Sequence, residues 1–217
     1  NLSDLFNALM VFPNLIALLA LSGVVALAAI ILLAVMISYL VVRRSNPLNH
    51  AIDTISMLPY IMPGSVIAIA LVIGFGRKPL VLTGTLAIMI IAVIIRRLPY
   101  TTRSATATLI QIPITIEEAA ISLGASKMKT FFRVTVPMMS SGIVSGAILS
   151  WVAIVTELSS SIILYNNKSI TLTMSTYVAI SRGNYGLAAA FAAILTVVTM
   201  VSLIIYLAVS KSEDVNL

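Results

Sequence analysis

Residues 113–137 read PITIEEAAISLGASKMKTFFRVTVP and form a polar, charged stretch in an otherwise strongly apolar chain. Thr115 and Glu118 have the S/T-x-x-E spacing of a capping box, in which each side chain bonds the other residue's backbone N–H. Apolar residues then recur at helical spacing as far as Leu123. Gly124 follows, a residue type that readily adopts the left-handed conformation at a helix end. The pattern predicts a short helix that ends at Gly124.

A second short amphipathic piece, residues 125–133, leads from this helix to Pro137. Proline is suited to the first turn of a helix, where its missing N–H is not needed. Glu117 and Glu118 lie in the first turn of the preceding helix, where negative charge is favourable to the helix dipole. Residues 113–137, hereafter the connector, are therefore predicted to be a helix–turn–helix between two longer helices.

The composition identifies the medium in which the chain folds. Of its 217 residues, 60% are hydrophobic and 9% are charged, whereas a soluble domain carries about 25% charged residues. The chain is predicted to be an integral membrane protein. It has no cysteine, which excludes disulfides and thiolate metal sites. The net charge of +6 does not indicate nucleic-acid binding, because the basic residues lie at the ends of apolar runs.

Apolar runs along the chain predict an all-α membrane protein with about five transmembrane helices, each crossing requiring about 20 residues. The predicted spans cover residues 15–42, 54–75, 80–95, 138–165 and 187–209. Pro59, Pro63 and Gly64 interrupt the second span, and such breaks persist where neighbouring helices or a water-filled cavity satisfy the backbone. The third span is expected to end at Arg96–Arg97.

The segments between the spans carry further expectations. Residues 1–14 are read as a lead-in or the end of an interfacial helix, and residues 98–112 as a helix along the membrane edge. A short interfacial helix is expected at residues 172–181. Gly142 and Gly146 have the small-xxx-small spacing that permits close helix approach. The chain begins without Met, which favours a piece of a longer polypeptide.

The basic residues predict the orientation, because cytoplasmic loops carry an excess of lysine and arginine. Nine basic residues fall on the predicted side of the connector, and four fall on the other side. The nine are Arg43, Arg44, Arg96, Arg97, Arg103, Lys127, Lys129, Arg133 and Lys211, and the four are Arg77, Lys78, Lys168 and Arg182. The connector and the C-terminus are therefore expected to be cytoplasmic.

The connector also contains a more specific pattern. Glu118-Ala119-Ala120, Gly124, Val134 and Val136-Pro137 follow the spacing EAA-x3-G-x9-I-x-L-P, with valine in place of isoleucine and leucine. This resembles the cytoplasmic signature of binding-protein-dependent ABC importer permeases of type I, with a MetI-like transmembrane domain. The resemblance extends over essentially the whole chain. The alternative interpretation of the connector is a surface loop that lies on the lipid headgroups.

The resemblance implies a single permease domain over residues 1–217, whose connector is a coupling helix that docks on a cytoplasmic ATP-binding subunit. The chain has no GxxxxGK[ST] loop, so it is predicted not to be the ATPase itself, and ATP and magnesium would be bound by the partner subunits. The implied partners are a pair of ATP-binding subunits, a second permease half and an extracytoplasmic binding protein, in a bacterial or archaeal cytoplasmic membrane. The implied ATPase-coupling residues are Glu117, Glu118, Ala119, Ala120, Gly124, Ala125 and Pro137.

Weaker motifs bear on the cargo. The elements at residues 63–66 (PGSV), 157–158 (EL) and 182–190 (RGNYGLAAA) resemble those of ferric-iron importer permeases, in which two permease halves are often fused. Permeases for polyamine, sulfate, molybdate and thiamine share parts of these motifs. Ferric iron is the expected cargo, and the other four classes remain open.

Glu157 is an acidic residue well inside an apolar run, and a carboxylate at membrane depth is by default a functional candidate. It is expected either to line the translocation path, together with Pro63 and Gly64, or to be a structural hydrogen-bond partner. The proline–glycine pair is equally compatible with a packing kink. No metal site is predicted.

Two functions of other classes remain open. An ion-coupled secondary transporter would use Glu157 as a proton or ion relay. A membrane scaffold or sensor would bind a partner through the connector without moving a solute. A single intramembrane acid and the signature spacing disfavour these alternatives.

Overall fold

The computed structural model describes residues 2–44, 46–166 and 169–214, with side chains described from Ser22 onward except at 206, 207 and 209–214. All regular secondary structure in these ranges is helical, with no strand among them. The predicted all-α class is confirmed. By length and apolar composition, two described helices could each cross a membrane alone, and two bent helix pairs could provide up to two further crossings.

The first and last helices are the two that could cross alone. Helix α1 spans Leu2–Arg43, and the part that meets the length and composition criterion is Ser22–Arg43. Residues 2–14 thus belong to the same helix and are not a separate lead-in. The last helix of the chain spans Tyr185–Asp214. It contains the predicted fifth span, residues 187–209.

The predicted second span is built from two helices. Helix α2 spans Pro47–Ile61 and helix α3 spans Gly64–Gly74, and the two are bent by 112°. The break lies at Pro63, because the residue before a proline is driven to extended backbone, and Met62 has ψ 138°. The predicted interruption at Pro63–Gly64 is confirmed, whereas Pro59 lies inside α2 and does not break it.

Helix α4 spans Leu86–Gln111. It begins six residues after the predicted start of the third span at 80, and it continues through Arg96–Arg97, so the helix predicted beyond these arginines is confirmed. Thr101, Thr102 and Leu109 in this second half of α4 are fully buried. The pair of arginines is accommodated inside the helix by contacts described below.

The connector contains three short helices and a π-helical turn. Helix α5 spans Ile114–Ser122, α6 spans Lys127–Thr130, a π-helical turn spans Phe131–Thr135, and α7 spans Val136–Met138. Pro137 lies in the first turn of α7, as predicted for a proline that opens a helix.

The chain beyond the connector is also broken into several helices. Helix α8 spans Ser140–Val155, and its axis is bent by 66° from the segment Lys127–Met138. Helix α9 spans Ser161–Leu164, α10 spans Leu172–Ser181, and the last helix is α11. The predicted fourth span, residues 138–165, is therefore not one helix, whereas the short helix predicted at 172–181 is confirmed.

Helix α4 lies at the centre, packed between α1 and α8. A Cβ at Gly142 would lie 2.0 Å from Thr108 Oγ1, and one at Gly146 would lie 2.7 Å from Thr101 Cα. The prediction that these glycines allow close helix approach is confirmed. The positions of the connector and of Arg96–Arg97 are set by this three-helix core.

Candidate coupling surface and buried ion cluster

Helix α5 begins at Ile114 with Pro113 as its N-cap residue, and no side chain caps it. The predicted capping box is therefore wrong, because Thr115 and Glu118 both lie inside the helix. Pro113 has extended backbone with ψ 137°, so the helix starts directly after it. Glu118 is consequently free to point away from the protein, and it is exposed.

The end of α5 agrees with the prediction. Gly124 has φ +89°, a left-handed conformation that favours glycine. Its N–H donates to the Ile121 carbonyl at 2.9 Å, and the Ala125 N–H donates to the Ala120 carbonyl at 3.1 Å. These two bonds define a Schellman motif, which ends the helix and fixes the direction of the chain toward α6.

Glu117 links α5 to α1. Its Oε1 accepts a hydrogen bond from Arg43 Nε at 2.7 Å, and its Oε2 accepts one from the Tyr39 hydroxyl at 3.2 Å. Arg43 also donates to the Ile112 carbonyl at 2.8 Å. Glu117 is therefore buried, whereas Glu118, the other carboxylate of the predicted coupling set, is exposed.

The outward face of α5 consists of exposed residues at helical spacing, with Leu123 90% exposed. Glu118, Ala119 and Ser122 complete this face. Of the other predicted coupling residues, Ala120 and Ala125 are half-buried and Pro137 is exposed. Leu123 thus projects from the end of α5 beside small and polar residues, with almost no contact inside the protein.

A small apolar core lies beneath α5. Leu109, Ile112 and Met139 are buried together, and Ile116 of α5 packs against them. These residues come from the end of α4, the start of α5 and the start of α8. A displacement of α5 would therefore be transmitted to α4 and α8 by packing and to α1 by the Arg43–Glu117 ion pair.

A second buried carboxylate, Glu157, lies in the turn between α8 and α9. Its Oε1 accepts from Arg96 Nη1 at 2.6 Å, Ser159 Oγ at 2.8 Å, Ser160 N at 3.0 Å and Ser160 Oγ at 2.9 Å. Arg97 Nη2 donates to Oε2. Arg96, Arg97 and Glu157 form the ion cluster, which carries two positive charges and one negative charge.

The break between α2 and α3 closes over the ion cluster. A Cβ at Gly64 would lie 2.2 Å from Ser159 Oγ and 2.3 Å from Arg96 Nη1, so any larger residue there would displace these side chains. Pro63 is the N-cap residue of α3 and places Gly64 in this position. The structure thus brings together Pro63, Gly64 and Glu157, which the sequence selected separately. Their role in a translocation path stays a prediction.

The depth of the ion cluster corrects the orientation count. Glu157 lies 17 residues beyond Ser140, about 26 Å along the helical direction, and Arg96 lies about 15 Å from the start of α4. Arg96 and Arg97 therefore belong to the interior of the fold and not to a loop. Removing them leaves seven basic residues on the connector side against four, and the predicted orientation is unchanged.

The sequence analysis did not predict that Arg43 pairs with Glu117 or that Arg96 and Arg97 pair with Glu157. A carboxylate inside an apolar run requires a cation or several donors, and this rule alone signals that Glu157 has a partner. The rule does not select Arg96 and Arg97, which are 61 and 60 residues away in sequence. No group of three or more His, Asp or Glu residues that could hold a metal occurs among the described residues.

Comparisons with known proteins agree with this architecture. The family model for the binding-protein-dependent transport system inner membrane component matches residues 30–213. A ferric transport system permease protein of Actinobacillus pleuropneumoniae is 29% identical over 90% of this chain and 28% of its own length. A ferric transport system permease protein from Haemophilus influenzae, itself of tentative assignment, is 31% identical over 70% of this chain and 24% of its own length.

The chain thus spans about a quarter of the length of these two relatives. A molybdate/tungstate transport system permease protein of Thermococcus kodakarensis is 27% identical over 73% of this chain and 62% of its own length. Among solved structures, the inward-facing MetNI methionine ABC transporter has a chain that matches with a TM-score of 0.70 at 16% identity, covering 92% of both chains. A chain of a bacterial alginate ABC transporter matches with a TM-score of 0.69 at 20% identity, covering 91% of this chain and 75% of the other.

Proposed function

The chain belongs to the family of binding-protein-dependent transport system inner membrane components, and we propose that it is a permease half of an ATP-driven importer. In this proposal it forms a pathway with a second permease half, and it receives its solute from an extracytoplasmic binding protein. Two separate ATP-binding subunits hydrolyse ATP, and one of them docks on the connector. The membrane is the cytoplasmic membrane of a bacterium or archaeon.

The observation that carries this proposal is the contrast between the two faces of α5. The inward face is fixed to α1 by Arg43–Glu117, whereas the outward face presents Leu123 with 90% of its surface exposed. A side chain that contributes nothing to internal packing is free to fill a pocket on a partner, and such apolar anchors dominate docking energies.

The same geometry supports a mechanism. When the ATP-binding subunits approach each other, a rigidly docked α5 moves with them. The Arg43–Glu117 pair passes this motion to α1, and the core around Leu109 and Met139 passes it to α4 and α8. The break after Val155 lies at the far end of α8, where Glu157 of the ion cluster joins the chain to Arg96 of α4, beside the α2–α3 break at Pro63. Rocking of the helices would therefore change the environment of the ion cluster.

Ferric iron is the proposed cargo. It is supported by the two ferric permease relatives and by the motifs at residues 63–66, 157–158 and 182–190. Relatives described as molybdate/tungstate and sulfate permeases keep oxyanions as the second candidate, and polyamine and thiamine remain on motif grounds. An ion-coupled relay at Glu157 is disfavoured, because two arginines and two serines already bind this carboxylate.

The decisive experiment is ATP hydrolysis by the complex of this permease with its second half and ATP-binding subunits, reconstituted in lipid vesicles. Binding protein loaded with ferric ion, molybdate, sulfate or a polyamine is added in turn. Stimulation by the ferric form alone supports class and cargo together. Stimulation by another loaded form would support the importer function with that solute, in place of iron, as the cargo. Transport driven by an ion gradient without ATP would overturn the proposal.

The docking surface is tested separately with Leu123→Ser. Because Leu123 is 90% exposed, the change leaves internal packing intact, and we expect co-purification of the ATP-binding subunits to fall about 10-fold or more, as for an interface anchor. Leu80→Ser is the matched control, since Leu80 is 55% exposed in the segment before α4.

A second connector variant is Gly124→Phe, which strains a left-handed residue. It is expected to weaken association with the ATP-binding subunits while the chain still inserts into the membrane. Unchanged association in both connector variants would contradict the coupling role.

A further inference from the structure

A groove of about 640 Å³ lies between α1 and the second half of the connector. One wall is the face of α1 from Ala28 to Arg44, and the other wall is formed by α6, the π-helical turn and the start of α7. Large apolar side chains line both walls and stay exposed: Leu32 is 61% exposed and Met128 is 66% exposed. Nothing among the described residues covers this apolar surface.

One aromatic contact joins the two walls of the groove. The rings of Tyr39 and Phe131 meet edge to face with centroids 4.8 Å apart. Arg44 lies five residues after Tyr39 on one wall, and Lys127 lies four residues before Phe131 on the other wall. Each cation is therefore about one helical turn along its wall from the aromatic contact, and both line the groove.

Both cations are available to a ligand. Arg44 and Lys127 are exposed, and neither forms an ion pair with another residue of the described ranges. No acidic side chain occurs among the described residues that line the groove. Arg44 and Lys127 therefore give the groove lining a net positive charge, and the other side chains that line it are apolar or aromatic.

The groove is longer than the hydrocarbon part of one lipid leaflet, so it has room for an acyl chain along its length. The lined face of α1 extends 16 residues, from Ala28 to Arg44, or about 24 Å. One leaflet contributes about 15 Å of the hydrocarbon core. An acyl chain lying against Leu32 and Met36 would therefore place its phosphate near Arg44 and Lys127.

From this charge complementarity we propose that the groove binds an anionic phospholipid, with the headgroup phosphate on Arg44 and Lys127 and an acyl chain along α1. Basic pockets between membrane helices are a general form of anionic lipid recognition. The two cations in the groove lining favour a phosphate headgroup over an apolar helix of another subunit, which would leave both charges without a counter-charge. The binding site needs neither ATP nor a particular cargo, and so it stands independently of the importer proposal.

The lipid would contact the coupling pathway directly. Tyr39 forms the floor of the groove, and its hydroxyl donates to Glu117 of α5. Phe131 belongs to the π-helical turn that leads from the connector into α8. An occupied groove would therefore bridge α1 and the connector beside the Arg43–Glu117 ion pair, and would hold the two together while the outward face of α5 engages its partner.

The test uses the purified permease in nanodiscs of phosphatidylcholine that contain a trace of photoreactive phosphatidylglycerol. We expect crosslinks to the peptide that contains Met128 and Phe132. In Arg44→Gln/Lys127→Gln the crosslinking yield should fall about 10- to 30-fold, as loss of two surface cations predicts. The matched control is Lys129→Gln/Arg133→Gln, which removes the same charge from exposed positions that do not line the groove. Its yield should change less than about 2-fold.

Three further arms define the ligand. Photoreactive phosphatidylcholine should give little crosslinking, and soluble glycerol phosphate should not compete, because it lacks an acyl chain. Unlabelled phosphatidylglycerol should compete and should raise the thermal midpoint of the native protein but not of Arg44→Gln/Lys127→Gln. The proposal would be overturned by equal labelling with both lipids or by an equal loss of labelling in both double variants. It would also be overturned if a permease subunit, and not lipid, occupied the groove.

Discussion

Glu117 and Glu157 are two buried carboxylates held by arginine, and they differ in charge balance and in surroundings. Glu117 pairs with one arginine, Arg43, and the group is neutral. Glu157 pairs with both Arg96 and Arg97 and takes three further hydrogen bonds from Ser159 and Ser160. The first pair joins two helices, whereas the ion cluster joins α4 to a turn and lies against the α2–α3 break.

The difference indicates separate roles. The neutral one-to-one pair has no surplus charge, and as an intact link it can carry a movement of α5 to α1. The ion cluster leaves Arg96 Nε and Arg97 Nε buried without a partner in the described structure. A buried group with surplus positive charge is costly to disturb further, because loss of its single carboxylate leaves two cations without compensation.

Removal of the only carboxylate from the ion cluster should give the largest effect. In Glu157→Gln we expect the free energy of unfolding to fall by about 3–5 kcal/mol, since both buried guanidinium groups lose their counter-charge. Thermal unfolding in detergent, followed by fluorescence of the single tryptophan, Trp151, measures this loss. Glu118→Gln, at an exposed carboxylate, is the control. Equal midpoints for the two variants would show that the ion cluster does not hold the fold.

A smaller effect is expected when the ion cluster is disturbed from the side of the α2–α3 break. Gly64→Ala places a methyl group against Arg96 and Ser159 and should cost about 1–3 kcal/mol, as overpacking typically does. Gly186→Ala is the control in α11, because a Cβ there meets nothing within 4 Å and the residue has no positive φ. The same unfolding measurement applies, and a Gly64→Ala protein as stable as Gly186→Ala would disprove the close packing.

The smallest effect concerns the neutral pair. In a double-mutant cycle with Arg43→Gln and Glu117→Gln, we expect a coupling energy of about 1 kcal/mol, within the range for directly contacting residues. The double variant should be more stable than the sum of the single losses implies, because it leaves no unpaired charge. The cycle is measured by chemical unfolding of the same detergent-solubilised protein. Strict additivity would mean that Arg43 and Glu117 do not interact, and the mechanical link between α1 and α5 would then need another basis.

Local sequence patterns correctly predicted those features that depend on the backbone preferences or the polarity of a few neighbouring residues. The left-handed Gly124, the break at Pro63 and the short helix 172–181 were predicted because glycine, proline and apolar spacing act locally. Composition alone predicted the membrane class. The capping-box prediction was wrong because the helix begins directly after Pro113. Thr115 therefore lies inside the first turn and cannot be the N-cap residue.

The sequence by itself determined a chain of broken apolar helices around one amphipathic connector. It also marked three separate positions within the apolar runs: Pro63–Gly64, Arg96–Arg97 and Glu157. Only the tertiary structure decided that these positions meet, that Glu117 is buried while Glu118 is exposed, and that Arg44 and Lys127 line one groove. The physical reason is the range of the forces involved. Helix formation and chain breaks depend on neighbouring residues, whereas pairing of buried charges depends on which helices pack together, across more than 60 residues of sequence.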